Sequence, residues 1–308
     1  MISPVSISSV AAALILSPLL RSIINRTKAG FAGRQGPPWL QPYYDLIKLL
    51  RKGAVYSRTT TWIFRASPVA GLTMALGALC LTPMGGENSV LHFEGDLLLF
   101  AYMLGLWRFF TILAAMDTGS SFEGMGASRE AFYSALAEPA LLLGLEGLAL
   151  KAQSASLSGI YAALENSVSA GGHAATLIFI MLAFLIIYLT ENARIPVDDP
   201  TTHLELTMIH EVMVLDHCGV DLAIIEYAGA LKLWILGLLI TGLFVPIQAG
   251  ATWLNLGASI LCLFLLAVLV GVIESVMARF KLVKIPQLLT GAFVLAALWG
   301  VWIARTQL

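Results

Sequence analysis

Eight of the chain's nineteen carboxylates fall in one stretch, residues 190–227, TENARIPVDDPTTHLELTMIHEVMVLDHCGVDLAIIEY. They are Glu191, Asp198, Asp199, Glu205, Glu211, Asp216, Asp221 and Glu226. Arg194 alone supplies a full positive charge there, and His203, His210 and His217 titrate near neutral pH. A solvated loop could carry these charges without consequence. Apolar residues are threaded through it, however, among them Ile195, Val197, Leu204, Met208, Val212 and Leu215. A segment both acidic and oily packs against something and takes its acids into a protein-lined interior. Desolvation and like-charge repulsion raise carboxylate pKa values there, which is what a proton relay needs.

Outside this stretch, the ionisable residues inside apolar runs carry the chemistry. Glu138 sits beside Pro139 among alanines and leucines, and a carboxylate at membrane depth is costly unless paired or protonated. Two accounts fit it: a station on a proton path, or a structural ion pair with Arg108 or Arg129. Glu146, eight residues on, would lie on a similar face about 12 Å deeper. It is a second station, or it emerges near the outer surface. Arg108, midway along LGLWRFFTIL, must find an acid or a carbonyl. Glu191 and Arg194 stand one helical turn apart, so a local salt bridge competes with a relay role. Lys232 is a transfer station or a lysine snorkelling to the interface. Glu274 lies just ahead of Arg279, which favours a helix-end pair over a relay.

Metal chemistry finds no support. His210-Glu211 begins like a zinc-protease motif, but the second histidine position is Val214. Histidines seven residues apart are separated by about 10 Å per step on a helix, too far to share a metal. Cys80, Cys218 and Cys262 form no CxxC pair and read as buried thiols.

The elements that must hold these groups follow from composition. Of 308 residues, 58% are hydrophobic and 12% charged, about half the usual charged share. Mean hydropathy is +0.84. These values define an all-α, polytopic membrane protein, and the net charge of −1 with no basic tail gives no footing for nucleic acid. Apolar runs at 2–20, 68–83, 97–116, 131–150, 174–189, 228–248, 253–277 and 286–303 predict about eight spans. The N-terminus has no basic n-region and no small-residue cleavage site, so it reads as a retained first helix. Fourteen Lys/Arg fall on the side holding the acidic stretch, nine of them between Arg21 and Arg65, against Lys151 and Arg305 on the other. That bias places the acidic stretch in the cytoplasm and both termini outside.

The first loop on the basic side holds a second pattern. A Gly/Pro-rich turn precedes an amphipathic helix starting near Pro42, with Leu46, Ile47, Leu49 and Leu50 apolar and Lys48, Arg51 and Lys52 outside. By physics alone this is an interfacial helix on the inner leaflet.

RQGPPWLQPYYDLIKLL also resembles the R-x-G-P-x-x-x-Q-P-x-x-D-x-x-K-L signature of a known membrane subunit. That subunit anchors the hydrophilic arm of respiratory complex I and of the group 4 membrane-bound hydrogenases. Arg34, Gly36, Pro37, Gln41, Pro42, Asp45, Lys48 and Leu49 carry the match. Glu191, Arg194, Pro196 and Asp198 are similar to the family's E-x-x-R-x-P-x-D, and Glu205-Leu206 to its later E-L. Asp216-His217-Cys218-Gly219 stands where the family has E-Y-S-G. Arg129 nine residues before Glu138, and Glu226-Tyr227, are further matches. The complex I branch has two more glutamates where this chain has Thr201 and His203, which weakens a quinone-site reading. DTGSSFEGMGASREA and PVDDPTTHLELTMIHEVMVLDH resemble the hydrogenase branch, including formate hydrogenlyase subunit 4.

The resemblance implies one integral membrane domain over 1–308, with loops 21–67 and 190–227 as a docking surface. Arg34, Gly36, Pro37, Gln41, Pro42, Asp45, Lys48, Asp199, His203 and His210 belong to that surface. It implies a subunit without a redox centre that anchors a peripheral electron-transfer module and couples it to proton or sodium movement. The path candidates are Glu138, Glu146, Glu191, Asp198, Glu205, Glu211, Asp216, Glu226, Lys232 and Glu274, with Arg108, Arg129 and Arg194 as charge partners. Iron–sulfur clusters and a NiFe centre would reside in the partners, the hydrogenase small and large subunits, beside antiporter-like membrane subunits. The alternatives are a quinone-site subunit of a complex I-type enzyme and a stand-alone ion carrier. The expected location is a bacterial or archaeal cytoplasmic membrane.

Overall fold

A hydrocarbon environment offers backbone groups no partners, so apolar runs of this length must close their hydrogen bonds within helices. The computed structural model shows that outcome, and it describes residues 3–169, 174–198, 208–244 and 252–307. In chain order the helices are α1 (Pro4–Phe31), α2 (Gln41–Leu50), α3 (Trp62–Leu81), α4 (Asp96–Asp117) and α5 (Ser121–Ala152). Then come α6 (Leu157–Ser169), α7 (Ala174–Glu191), α8 (Gly219–Phe244), α9 (Thr252–Val276) and α10 (Ile285–Gln307). No strand occurs among the described residues. Among the described residues, seven helices are long and apolar enough to cross a membrane, and α7 contributes a shorter apolar helix, in line with the eight or so expected. The chain is a multi-pass membrane protein.

Several helices extend beyond their apolar cores. α5 opens at Ser121 rather than 131, α8 at Gly219 rather than 228, and α1 runs on to Phe31. For α5 the local reason is visible: Ser120 precedes the helix in extended backbone, and Glu123 stands in its first turn, where the helix dipole favours an acid. Glu138 is therefore near mid-helix in α5, where a start at 131 would place it about two turns in. α6 was not expected. It is pinned by buried Asp96 at the start of α4, which accepts the Leu157 N–H at 2.7 Å and the Ser156 hydroxyl at 2.8 Å.

Packing places the functional end. α3 lies on α4 and α8, α1 on α9 and α8, and α10 on α5 and α7. The core holds Trp234, Trp299, Phe100 and Phe184, all fully buried. The ends carrying most of the basic residues gather on one side: Thr61 bonds Asp117, Phe280 N–H reaches the Pro196 carbonyl at 2.9 Å, and Lys28 pairs with Glu274 at 2.9 Å. Cys218 Sγ accepts the Val55 N–H at 3.2 Å, which ties the first basic-side loop to the start of α8.

Candidate functional site

The ionisable groups of this end join into one row. Lys232 Nζ on α8 meets Glu191 Oε2 at the end of α7 at 2.8 Å, and lies over the Trp107 ring. Glu191 Oε1 pairs with Arg108 Nη2 on α4; Arg108 Nη1 pairs with Glu138, and its Nε lies 3.2 Å from Glu130 Oε1, both on α5. Glu130 Oε2 then meets His210 Nε2 at 3.2 Å, and His210 Nδ1 stands 3.6 Å from Asp198 Oδ2. Arg279 Nη2, just past α9, closes the row on Asp198 Oδ1 at 2.9 Å. Two further groups flank it: Glu274 between Lys28 and Arg194, at 2.9 and 3.5 Å, and an Arg21–Glu226 pair.

Charges so placed are tolerable only because each has a partner; removing one would strand the others in a medium that solvates them poorly. A cavity of about 360 Å³ opens beside them, with Arg108, Glu130, Glu191, Arg194, His210 and Lys232 on its polar wall and Pro68, Trp107 and Leu233 on its apolar one. A polar cavity of that size holds water readily. Carboxylates and an imidazole on the wall of one such space are groups able to take up and release protons.

The acidic stretch is folded onto the bundle where it is described. Asp198 is 2% exposed and its Oδ2 accepts the N–H groups of Ile209 and His210, each at 3.1 Å. Burial pushes its carboxyl up, but His210 and Arg279 outweigh that and hold it below the usual aspartate range. Glu123 is buried and accepts the Asp216 N–H at 3.0 Å, and Arg129 donates to the Met208 carbonyl at 2.9 Å. His217 stacks on Phe64 with centroids 3.9 Å apart. Burial drives its pKa from 6.5 down to about 4, against the pull of Asp221 and Asp216.

A neutral folded imidazole beside an unfolded one that protonates at 6.5 contributes stability above that pH, and loses it as pH falls toward 4. Histidine-labelled NMR is expected to show His217 neutral at pH 5, with hydrogen exchange in residues 208–218 rising between pH 6.5 and 4. Titration of His217 at its ordinary value would show that it is not packed this way.

Some expected pairings are corrected, and alternatives that the sequence left open are decided. Glu191 and Arg194 do not pair with each other: Glu191 takes Arg108 and Lys232, while Arg194 turns to Glu274. Ala193, with φ 51°, turns the chain between them, so helical spacing no longer applies. Glu274 and Arg279 also part, each to a partner on another element. Five residues put them roughly 140° apart on a helix, and α9 stops at Val276. Lys232 faces Glu191 rather than the interface. Glu138 takes Arg108, not Arg129. Glu146 is exposed on the outer face of α5, with no ion pair among the described residues. His210, grouped by sequence with the docking surface, stands inside the row.

Of the other candidates, Glu211 lines the cavity and Asp216 is exposed. Arg34, Asp45 and Lys48 are exposed, and Gln41 donates to Asp45 at 2.9 Å. Gly36 and Pro37 lie against α1, where Arg26 donates to the Pro37 carbonyl at 3.3 Å and covers Trp39. Pro42 is half-buried at the start of α2. Asp199, His203 and Glu205 lie outside the described residues. The three cysteines are free, and no cluster of three or more metal-ligating side chains occurs among the described residues. Sequence reading missed Glu130, Glu123, Lys28 and the pairings of Arg21 and Arg279. Only Glu130 had a local signal, standing eight residues before Glu138 on one continuous helix.

A polytopic helical bundle with a buried charge row under a folded acidic loop defines a class of membrane subunit. The chain belongs to the NADH dehydrogenase family, which it matches over residues 5–304. It is 30% identical over 298 residues to hydrogenase-4 component C of Escherichia coli (strain K12), covering 94% of this chain and 92% of that one. It is 30% identical over 294 residues to formate hydrogenlyase subunit 4 of the same organism, covering 92% of each. An NADH-quinone oxidoreductase subunit of Rubrobacter xylanophilus is 27% identical over 243 residues, covering 77% of this chain and 71% of that one. Among solved structures, a chain of the membrane-bound sulfane sulfur reductase, an archaeal respiratory membrane complex, superposes with a TM-score of 0.82. At 19% identity over 97% of this chain and 98% of that one, the likeness speaks for the fold.

Proposed function

We propose that this chain is the membrane subunit of a group 4 hydrogenase-type complex similar to formate hydrogenlyase. In this reading it anchors a peripheral electron-transfer module through loops 21–67 and 190–227 and couples redox events there to proton or sodium movement. The single observation that carries it is the row from Arg279 to Lys232, which runs from the acidic loop into the membrane-spanning helices. Nearly full-length similarity to two hydrogenase-type subunits supports the branch over the quinone-site alternative, where similarity covers 77% of the chain. The electron carriers, iron–sulfur clusters and a NiFe centre, belong to partner subunits, and antiporter-like subunits complete the ion path. The basic-side charge bias supports a cytoplasmic membrane with both termini outside.

Purification through a tag on this chain tests the assignment. The expected result is co-purification of iron–sulfur and NiFe subunits, hydrogen chemistry independent of added quinone, and no ion movement by the chain alone in vesicles. Quinone-dependent turnover would favour the complex I-type reading, and transport by the isolated chain a carrier.

The seat of the docking loop gives a sharper test. A Cβ on Gly126 of α5 would collide with Val212 and come within 3.0 Å of the Ile209 carbonyl. Overpacking of this kind costs about 1–3 kcal/mol, or roughly thirtyfold in an equilibrium at the middle of that range. Gly126→Ala is expected to lift the loop and release the peripheral module from washed membranes by about that factor. Unchanged retention of the module would separate the loop from docking.

A further inference from the structure

We infer that His210 is the proton-holding link between the acidic loop and the transmembrane charges, bridging Asp198 and Glu130 as an imidazolium and passing a proton to Glu130. The inference deepens the coupling role proposed above and rests on it for its functional consequence, though not for its chemistry.

Geometry comes first. Both ring nitrogens face carboxylates, Nε2 toward Glu130 at 3.2 Å and Nδ1 toward Asp198 at 3.6 Å. A neutral imidazole has one N–H and one lone pair, so it can satisfy one of these acids while its lone pair faces the other. The imidazolium presents an N–H toward each acid, as ion-pair contacts at 3.2 and 3.6 Å. Charge counting gives the same answer. Among the described residues, the row sets three cations, Arg108, Lys232 and Arg279, against four carboxylates, Glu130, Glu138, Glu191 and Asp198. The row is neutral only when His210 carries a proton.

The surroundings of the ring come from every side of the bundle. Glu130 reaches it from α5, Asp198 from the turn after α7, and Lys232 from α8, while Arg108 on α4 and Arg279 past α9 act through the two acids. Glu211 is its chain neighbour, and Arg129 holds the carbonyl of Met208 beside it. Burial and Lys232 disfavour the charged ring, but Glu130 and Asp198 prevail and hold His210 above the ordinary histidine value of 6.5. A base so raised keeps its contribution to stability below that pH and loses it as pH rises through the raised value.

The transfer step balances within the row. The Nε2–H bond breaks, an Oε2–H bond forms on Glu130, the imidazolium becomes a neutral imidazole, and the total charge of the row is unchanged. Glu130, once an acid, holds Arg108 less firmly, while Glu138 and Glu191 still retain that guanidinium. A proton arriving at the loop is thereby felt at a buried arginine on α4.

Two experiments decide it. In the full-length chain in nanodiscs, the resonance of ¹⁵N-labelled His210 is assigned by its loss in His210→Gln. The expected result is protonation of both nitrogens at pH 7, with a midpoint that falls by at least about one pH unit, tenfold in proton affinity, in Glu130→Gln. Glu211→Gln should move it far less. A neutral ring at pH 6, or a midpoint untouched by Glu130→Gln, overturns the bridge. In the assembled complex in proteoliposomes, His210→Lys keeps the charge balance but gives up no proton near neutral pH. It is expected to assemble and turn over while ion movement per turnover falls at least tenfold, and native ion movement in this variant would reduce His210 to a structural cation. If the native complex moves no ions, the coupling role falls, and the titration still decides whether His210 holds the proton of the row.

Discussion

Arg108→Met is expected to remove the protein from the membrane fraction almost entirely. The side chain is 6% exposed and faces Glu130, Glu138 and Glu191, so its loss leaves three carboxylates without the guanidinium they share. Removing one partner from a buried charge group costs about 3–5 kcal/mol, a fall in the folded ratio of more than about a hundredfold. Glu138 contributes the smaller share, because its side chain is 45% exposed and solvent or a neighbouring subunit screens it. The design that isolates the effect adds Glu191→Gln to Arg108→Met. Level and thermal stability should then recover part of the loss, since coupled groups depart from additivity. Strict additivity of the two changes, read as detergent-solubilised Tm, would show that the pair is not held as described.

Much of the fold was legible because a bilayer imposes one solution on a long apolar run. The spans, their number and the side that gathers the basic ends followed from hydropathy and the Lys/Arg bias. Helix starts were harder. SFEGMGASREAF is too weakly apolar to extend a span, yet it forms the first turns of α5 and carries Glu123 and Glu130 into the site. α6 has no span-length signal, and its start is fixed by Asp96, some sixty residues earlier in the chain.

The site was legible as a set of residues and not as a set of pairs. Charge, apolar context and family motifs singled out Glu138, Glu191, Asp198, Lys232 and Arg108. Their partners were hidden because ion pairs inside a bundle form across helices: Arg108 reaches Glu138 over 30 positions and Glu191 over 83. Local spacing suggested Glu191 with Arg194 and Glu274 with Arg279, and both suggestions fail where a turn or a helix end breaks the periodicity. Glu130 passed unnoticed because nothing local marks it beyond its spacing from Glu138 on one helix. In the fold Arg129 serves a carbonyl, and Glu130 bridges Arg108 and His210.

Glu130 therefore carries the second large effect. Glu130→Gln keeps the size and one acceptor oxygen, removes a negative charge, and can no longer take a proton from His210 or balance Arg108. The row keeps three cations against three remaining carboxylates, so the fold is expected to survive while the link between loop and bundle does not. Removal of a positioned proton-transfer group typically costs about 10²–10⁴ in the rate of the step it serves. Electron transfer in the peripheral module needs no such step in this chain and should continue.

The decisive measurement is the number of ions moved per electron pair by the whole complex in sealed proteoliposomes, native against Glu130→Gln, with hydrogen production followed in the same vesicles. Hydrogen production close to native with ion movement reduced at least tenfold is the predicted result. Native stoichiometry in the variant would contradict it, and would leave the charge row a structural feature of a membrane anchor.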